Sequence, residues 1–136
     1  RTDKHRITVK EFQTELKEKS KKFVDSIIGE GIALEAKLWN SFGRITLVNL
    51  KEKERLTLDI NLTFEKDDKK VVYPHIIIAE LKQEKVNRNS PFYSLMKKNQ
   101  IRPYSISKYC VGAVSLNPEL KYNNFKEKLI LIENLK

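Results

Sequence analysis

Residues 54–64, ERLTLDINLTF, constrain the fold more than any other stretch of the chain. Leu56, Leu58, Ile60, Leu62 and Phe64 alternate with Arg55, Thr57, Asp59, Asn61 and Thr63. A period of two predicts a strand with one apolar and one polar face. A solvated face has no need of an Arg and an Asp followed by short polar residues, whereas a strand lining a wet, charged cavity does. Two later segments repeat the device. In residues 76–82, IIIAELK, Glu80 and Lys82 share one side against Ala79 and Leu81. In residues 106–114, ISKYCVGAV, Ser107 and Lys108 stand beside apolar positions. Three strands carrying Arg, Glu with Lys, and Lys suggest a barrel whose interior binds an anion and a metal.

At 136 residues the chain is long enough for one domain with one core. Its formal net charge is +9, from 27 Lys and Arg against 18 Asp and Glu. Such an excess attracts anionic partners without specifying which. Many lysines alternate with glutamates, as in KEKSKK and KEKER, which is the pattern of a solvated surface. Cys110 is the single cysteine, so an internal disulfide and a cysteine-cluster metal site are excluded. It reads as a small buried hydrophobe. No apolar run approaches the roughly 20 residues of a membrane span, and a cytoplasmic location is expected. Residues 1–9, RTDKHRITV, read as the end of a hairpin, with Thr2 and Asp3 in the turn and residues 4–9 in the returning strand. The chain is therefore expected to be a piece lacking earlier strands.

Residues 8–28 predict a helix. Thr8 and Glu11 have capping-box spacing, Val9, Phe12, Leu16, Phe23 and Ile27 form the stripe, and Gly29 and Gly31 end it. Residues 31–39 fit either a short helix or an extended linker. Residues 44–49 and 55–64 predict a hairpin, and a turn at 65–70 leads through 71–73 and Pro74 into a strand at 75–83. Residues 90–99 predict a helix, with Ser90 as cap and Pro91 in its first position. A last strand is expected at 105–114 and a short helix at 123–135. The expected class is α+β, one domain with antiparallel strands.

Arg44 and Arg55 open the two strands of the hairpin, and arginine offers a rigid fork of donors suited to phosphate oxygens. The plain alternative is two surface arginines. Asp59 could hold an arginine or bind a cation. Glu80 follows four apolar residues, and a buried carboxylate needs a partner or a metal. An ion pair with Lys82 is the simple account; a carboxylate holding Mg or Mn beside phosphate-binding cations is the richer one. Lys108 either snorkels to solvent or points at a bound anion, and Gly112 leaves space opposite something large. His5 and His75 have no partner at metal-site or triad spacing. There is no Gly-rich phosphate loop and no nucleophile elbow. A nucleic-acid reading rests on charge alone.

With these residues in place the chain resembles the VTC domain, the catalytic domain of polyphosphate polymerases, within the triphosphate tunnel metalloenzyme superfamily. RLTLDINLTF is similar to that family's arginine-then-aspartate strand. IIIAELK resembles its strand ending in a metal-binding glutamate, and RPYSISKYCVG its serine–lysine strand. DKHRI resembles a strand with alternating basic residues. The resemblance implies an antiparallel β tunnel or barrel, complete or partial, with helices packed outside. It covers residues 1–136 as a VTC-like domain without its first strands. By the same match Lys4, Arg6, Arg44, Arg55, Lys82 and Lys108 hold phosphates, Ser107 assists Lys108, and Arg55, Lys82 and Lys108 take the catalytic part. Glu80 holds Mn or Mg, with Asp59 as a further candidate. The implied activity is transfer of the γ-phosphate of ATP to a growing polyphosphate chain. The alternatives are hydrolysis of inorganic triphosphate or nucleoside triphosphates, and polyphosphate binding without chemistry. Unpaired strand edges suggest self-association, and the isolated chain could be inactive.

Overall fold

The computed structural model describes residues 3–11 and 13–135. The chain divides into two units, residues 1–37 and residues 38–136.

Among the described residues of the first unit the one regular element is helix α1, Glu18–Ile28. The expected strand at 4–9 does not form: the described residues 3–11 pair with no strand. The helix expected from residue 8 starts ten residues later. Val9 and Leu16 are exposed, so no packing supports the early turns, and a lone helical segment is marginal in water. The Thr8 carbonyl instead accepts from Lys19 Nζ at 3.1 Å, and Glu11 pairs with Lys17. Ser20 is buried and donates to Gln13 Oε1 at 2.7 Å. Gly29 ends α1 with φ 98°, in the left-handed half of the map that glycine enters without penalty.

The second unit is an antiparallel sheet with helices around it. Its strands are β1 (Trp39–Asn49), β2 (Glu54–Lys66), β3 (Lys69–Tyr73) and β4 (Ile78–Gln83). β2 is central. β1 runs along one edge of it; β3 and β4 lie end to end along the other, opposite residues 62–66 and 54–59 respectively. Pro74 and His75 fall in the break between β3 and β4, where a proline costs no ladder hydrogen bond.

β2 does not alternate regularly along its length. Ser41 pairs with Thr63 but Gly43 with Ile60, so β2 carries one extra residue there. Asn61, at φ 54°, occupies the bulge. Before it Arg55, Thr57 and Asp59 share one face, and after it Leu62 and Phe64 join that same face. Leu56, Leu58 and Ile60 look the other way. The single apolar face expected from residue 56 to residue 64 is therefore two half-faces on opposite sides.

The expected tunnel is also corrected. The outer edges of β1, β3 and β4 have no partner strand among the described residues, so the sheet is open. The segment expected as a closing strand, 105–114, forms helix α3, Lys108–Leu116. Ser107 caps it, its Oγ accepting from Cys110 N at 3.3 Å. Val111 and Val114, three apart, and Gly112 and Leu116, four apart, are then buried at helical spacing. A short apolar run with a serine before it satisfies either period, and the Ser107 cap with burial on the sheet decides for helix. α3 lies on the face of β2 that carries Phe64, its Gly112 meeting the ring edge. Tyr73 Oη and Ser115 Oγ share a hydrogen bond of 2.7 Å over the same face. Leu62, Phe64, Ile76, Val111, Leu116 and Ile132 form the core. Ile132 comes from α4, Lys126–Glu133. Helix α2, Pro91–Lys98, starts as expected: Ser90 is fully buried and accepts from Tyr93 N at 3.1 Å. Its Pro91 and Phe92 line a cleft with Leu47, Leu56 and Leu81. Among the described residues no helix is long and apolar enough to cross a membrane.

Candidate functional site

The strand register builds a patch of three rows on the α3 side of the sheet. Val48, Arg55 and Lys82 make one row, Thr46, Thr57 and Glu80 the next, and Arg44, Asp59 and Ile78 the third. Each residue comes from a different strand in the order β1, β2, β4. Opposed residues in an antiparallel pair face the same side, so pairing alone sets Arg44, Arg55, Asp59, Glu80 and Lys82 on one surface.

Asp59 anchors one end. It is 3 % exposed at its side chain and receives Arg44 as a fork, Nε to Oδ1 at 2.6 Å and Nη2 to Oδ2 at 2.8 Å. Lys108, the first residue of α3, donates to Oδ2 as well. Both cations lie against the Phe42 ring, with Arg44 Cζ 5.1 Å and Lys108 Nζ 4.1 Å from its centre. One carboxylate and one aromatic face thus hold two cations. The Arg44 hydrogen bond, with Lys108 beside it, brings the Asp59 carboxyl down to about 2 against the opposing pull of burial. The same bond raises the Arg44 guanidinium above its ordinary value.

The other end is open to solvent. Lys82 stands directly across from Arg55 and touches Glu80 at 3.4 Å, with both side chains about half exposed. An exposed pair of this kind contributes little stability and exchanges partners readily. Lys53 and Glu84, 3.3 Å apart, edge an open groove of about 530 Å³ that Arg55 and Lys82 also line. Glu54, next to Arg55 along β2 and on the opposite face, is buried and is held by Gln83 Nε2 at 2.9 Å and Asn49 Nδ2 at 3.4 Å.

The register and α3 therefore bring together Arg44, Arg55, Asp59, Glu80, Lys82 and Lys108. Ser107 caps α3, its Oγ accepting from Cys110 N. Lys4 and Arg6 belong to the unit of residues 1–37, where they are exposed and outside any strand. Phe42 and Thr57 were not singled out by sequence reasoning. Phe42 has a visible signal in its two-residue spacing from Arg44, and Thr57 in its place between Arg55 and Asp59.

No group of three or more His, Cys, Asp or Glu gathers among the described residues. Asp59 does not suit a metal, because both of its oxygens already accept from cations. Glu80 suits one only in part. A single half-exposed carboxylate matches the way Mg²⁺ is held by one or two carboxylates together with substrate phosphates.

The family model for the VTC domain matches residues 2–117. No curated protein and no solved structure matches the chain.

Proposed function

Because the chain belongs to the VTC-domain family, we propose that the patch on the α3 side of its sheet binds a linear phosphate chain, in the service of metal-dependent phosphoryl transfer from ATP to polyphosphate. One observation carries this reading. Four cations, Arg44, Arg55, Lys82 and Lys108, gather on one face, Arg55 and Lys82 in one row and Arg44, joined by Lys108 from α3, two rows along, with Asp59 and Glu80 as the acidic side chains among them. That surplus suits a polyanion. The guanidinium of Arg55 offers two parallel donors to one phosphate group, and Lys82 adds a compact charge directly across from it. Arg44 and Lys108, fixed by Asp59 and Phe42, present the donors that Asp59 leaves unused. Phosphoryl transfer rests mainly on such positioning and charge stabilisation. Glu80 would share a divalent ion with phosphate oxygens, and the ion would bridge them and neutralise charge on the transferred group.

A second reading, polyphosphate binding without turnover, is favoured by the lack of any group of three metal-suited side chains among the described residues. Incubation of the chain with ATP and Mn²⁺ separates the outcomes. Lengthening polyphosphate with release of ADP supports the polymerase. Free phosphate supports a triphosphatase, and calorimetric binding of tripolyphosphate without either product supports a binding module. No binding of tripolyphosphate at low salt overturns the assignment of the patch.

A further inference from the structure

Thr57 occupies the centre of the three rows. Arg55 and Asp59 flank it along β2, and Thr46 and Glu80 flank it across the sheet. It is 6 % exposed, and its hydroxyl has no hydrogen-bond partner among the described residues. Buried hydroxyls are nearly always paired, because leaving one unpaired costs stability. Valine would fill the same volume, suit the strand as well and carry no such cost. The hydroxyl is therefore a feature that the fold alone does not account for.

Its position supplies the account. Arg55 and Lys82 lie one row to one side, and Arg44 and Lys108 act one row to the other. Arg55 and Asp59 are four residues apart, roughly 13 Å along a strand. A single phosphate group does not span that distance. A phosphate chain that meets both cationic ends has to pass over Thr57. The side chain next to Thr57 in its row is that of Glu80, half exposed and tied to Lys82 by one contact of 3.4 Å, so an arriving polyanion can move it aside.

We infer that Thr57 is a substrate-binding residue whose hydroxyl donates a hydrogen bond to a non-terminal phosphate oxygen of a chain laid between the Arg55–Lys82 and Arg44–Lys108 ends. This rests on the reading of the patch as a phosphate-chain site. It also gives the patch a way to prefer chains over orthophosphate, since only a chain engages both ends and the hydroxyl between them.

The test compares the wild-type chain with Thr57→Val and Thr57→Ser, by thermal melting and by calorimetric titration with tripolyphosphate and with orthophosphate. Thr57→Val removes the unpaired hydroxyl, so the ligand-free protein melts higher, by about 2–5 °C. The same variant binds tripolyphosphate about fivefold more weakly, with orthophosphate binding unchanged. Thr57→Ser keeps the donor and binds tripolyphosphate within about twofold of wild type. Opposite signs in stability and affinity are the signature that a purely structural threonine does not give. Equal tripolyphosphate binding by wild type and Thr57→Val overturns the role of Thr57 and leaves the patch standing. A lower melting temperature for Thr57→Val also overturns it, by showing that the hydroxyl serves the fold. Failure of the wild-type chain to bind tripolyphosphate overturns both readings.

Discussion

Asp59 and Phe64 stand five residues apart on β2 and face the same side of the sheet. In a regular strand an odd separation places two residues on opposite faces. The bulge at Asn61 inserts the extra residue that brings them together. Phe64 is fully buried under α3 and Asp59 is the anchor of the charged patch. Core and candidate site thus share one face, and α3 serves both, through Gly112 at one position and Lys108 at another.

Deleting Asn61 tests this relationship. Without the extra residue, Leu62 and Phe64 fall two and four positions after Asp59 and keep its face in a regular strand, so α3 keeps its seat. The deletion variant is therefore expected to keep the burial of Phe64 and a cooperative thermal transition. Asn61→Gly keeps the bulge, because glycine adopts positive φ freely, and is expected to melt within a few degrees of wild type. Circular dichroism melts of the two variants decide the matter; a deletion variant without a cooperative transition would show that the bulge does more than put Asp59 and Phe64 on one face.

Gly112 tests the seat from the helix side. A Cβ there would lie 2.3 Å from Cδ1 of Phe64. Gly112→Ala is expected to destabilise the protein by about 1–3 kcal/mol in urea titration, despite the higher helix propensity of alanine. Phe64→Leu in the same chain makes room, so the double variant is expected to lose less than the sum of the two single losses. Strict additivity would mean that the helix and the ring do not compete for this space.

The Asp59 anchor predicts a pH dependence of definite sign. Its carboxyl titrates at about 2 in the folded protein, against about 3.9 for an unperturbed aspartate. Its contribution is therefore fully present above the unfolded value and is lost as pH falls through about 2. The shift corresponds to about 2 kcal/mol, and Asp59 is buried enough for solvent to screen little of it. Wild-type stability is expected to fall by about that amount between pH 5 and pH 2. Asp59→Asn leaves Arg44 and Lys108 facing each other over Phe42, so it is expected to be less stable at pH 7 and to show a shallower acid decline. Denaturant titrations across this pH range provide the measurement, and parallel curves for the two proteins would count against the anchor.

The sequence made some of these features legible and hid others for physical reasons. The hairpin from Arg44 to Phe64 follows from alternation, and α2 from Ser90 and Pro91, because local chemistry decides both. The common face of Arg55, Glu80 and Lys82 follows from two-residue spacing on neighbouring strands. The bulge was hidden because Asn61 stands at a polar position of the alternation, and the apolar positions on either side of it keep the same parity. Burying Leu62 and Phe64 with Asp59 is a tertiary choice, made by α3. α3 itself was hidden because ISKYCVGAV is too short to separate period two from period 3.6. Lys108 reaches the charged face all the same, from the first turn of a helix rather than along a strand.

Glu80 separates metal-assisted chemistry from simple anion capture. Glu80→Gln removes the anionic oxygen that a hard divalent ion requires while keeping the size of the side chain. It also frees Lys82 from its 3.4 Å contact. Two effects of opposite sign follow. In the presence of EDTA, tripolyphosphate is expected to bind the variant as tightly as wild type or up to about threefold more tightly, because one negative charge has left a cationic patch. On addition of Mn²⁺, wild type is expected to gain affinity and any ATP turnover, and the variant neither. Lys108→Ala is expected to do the reverse: it weakens tripolyphosphate binding with or without metal and lowers stability by uncoupling α3 from Asp59. Calorimetric titrations in EDTA and in Mn²⁺ provide the comparison. A Glu80→Gln variant that keeps the full gain from Mn²⁺ would reduce Glu80 to an ion-pair partner of Lys82 and move the metal to the phosphate chain alone.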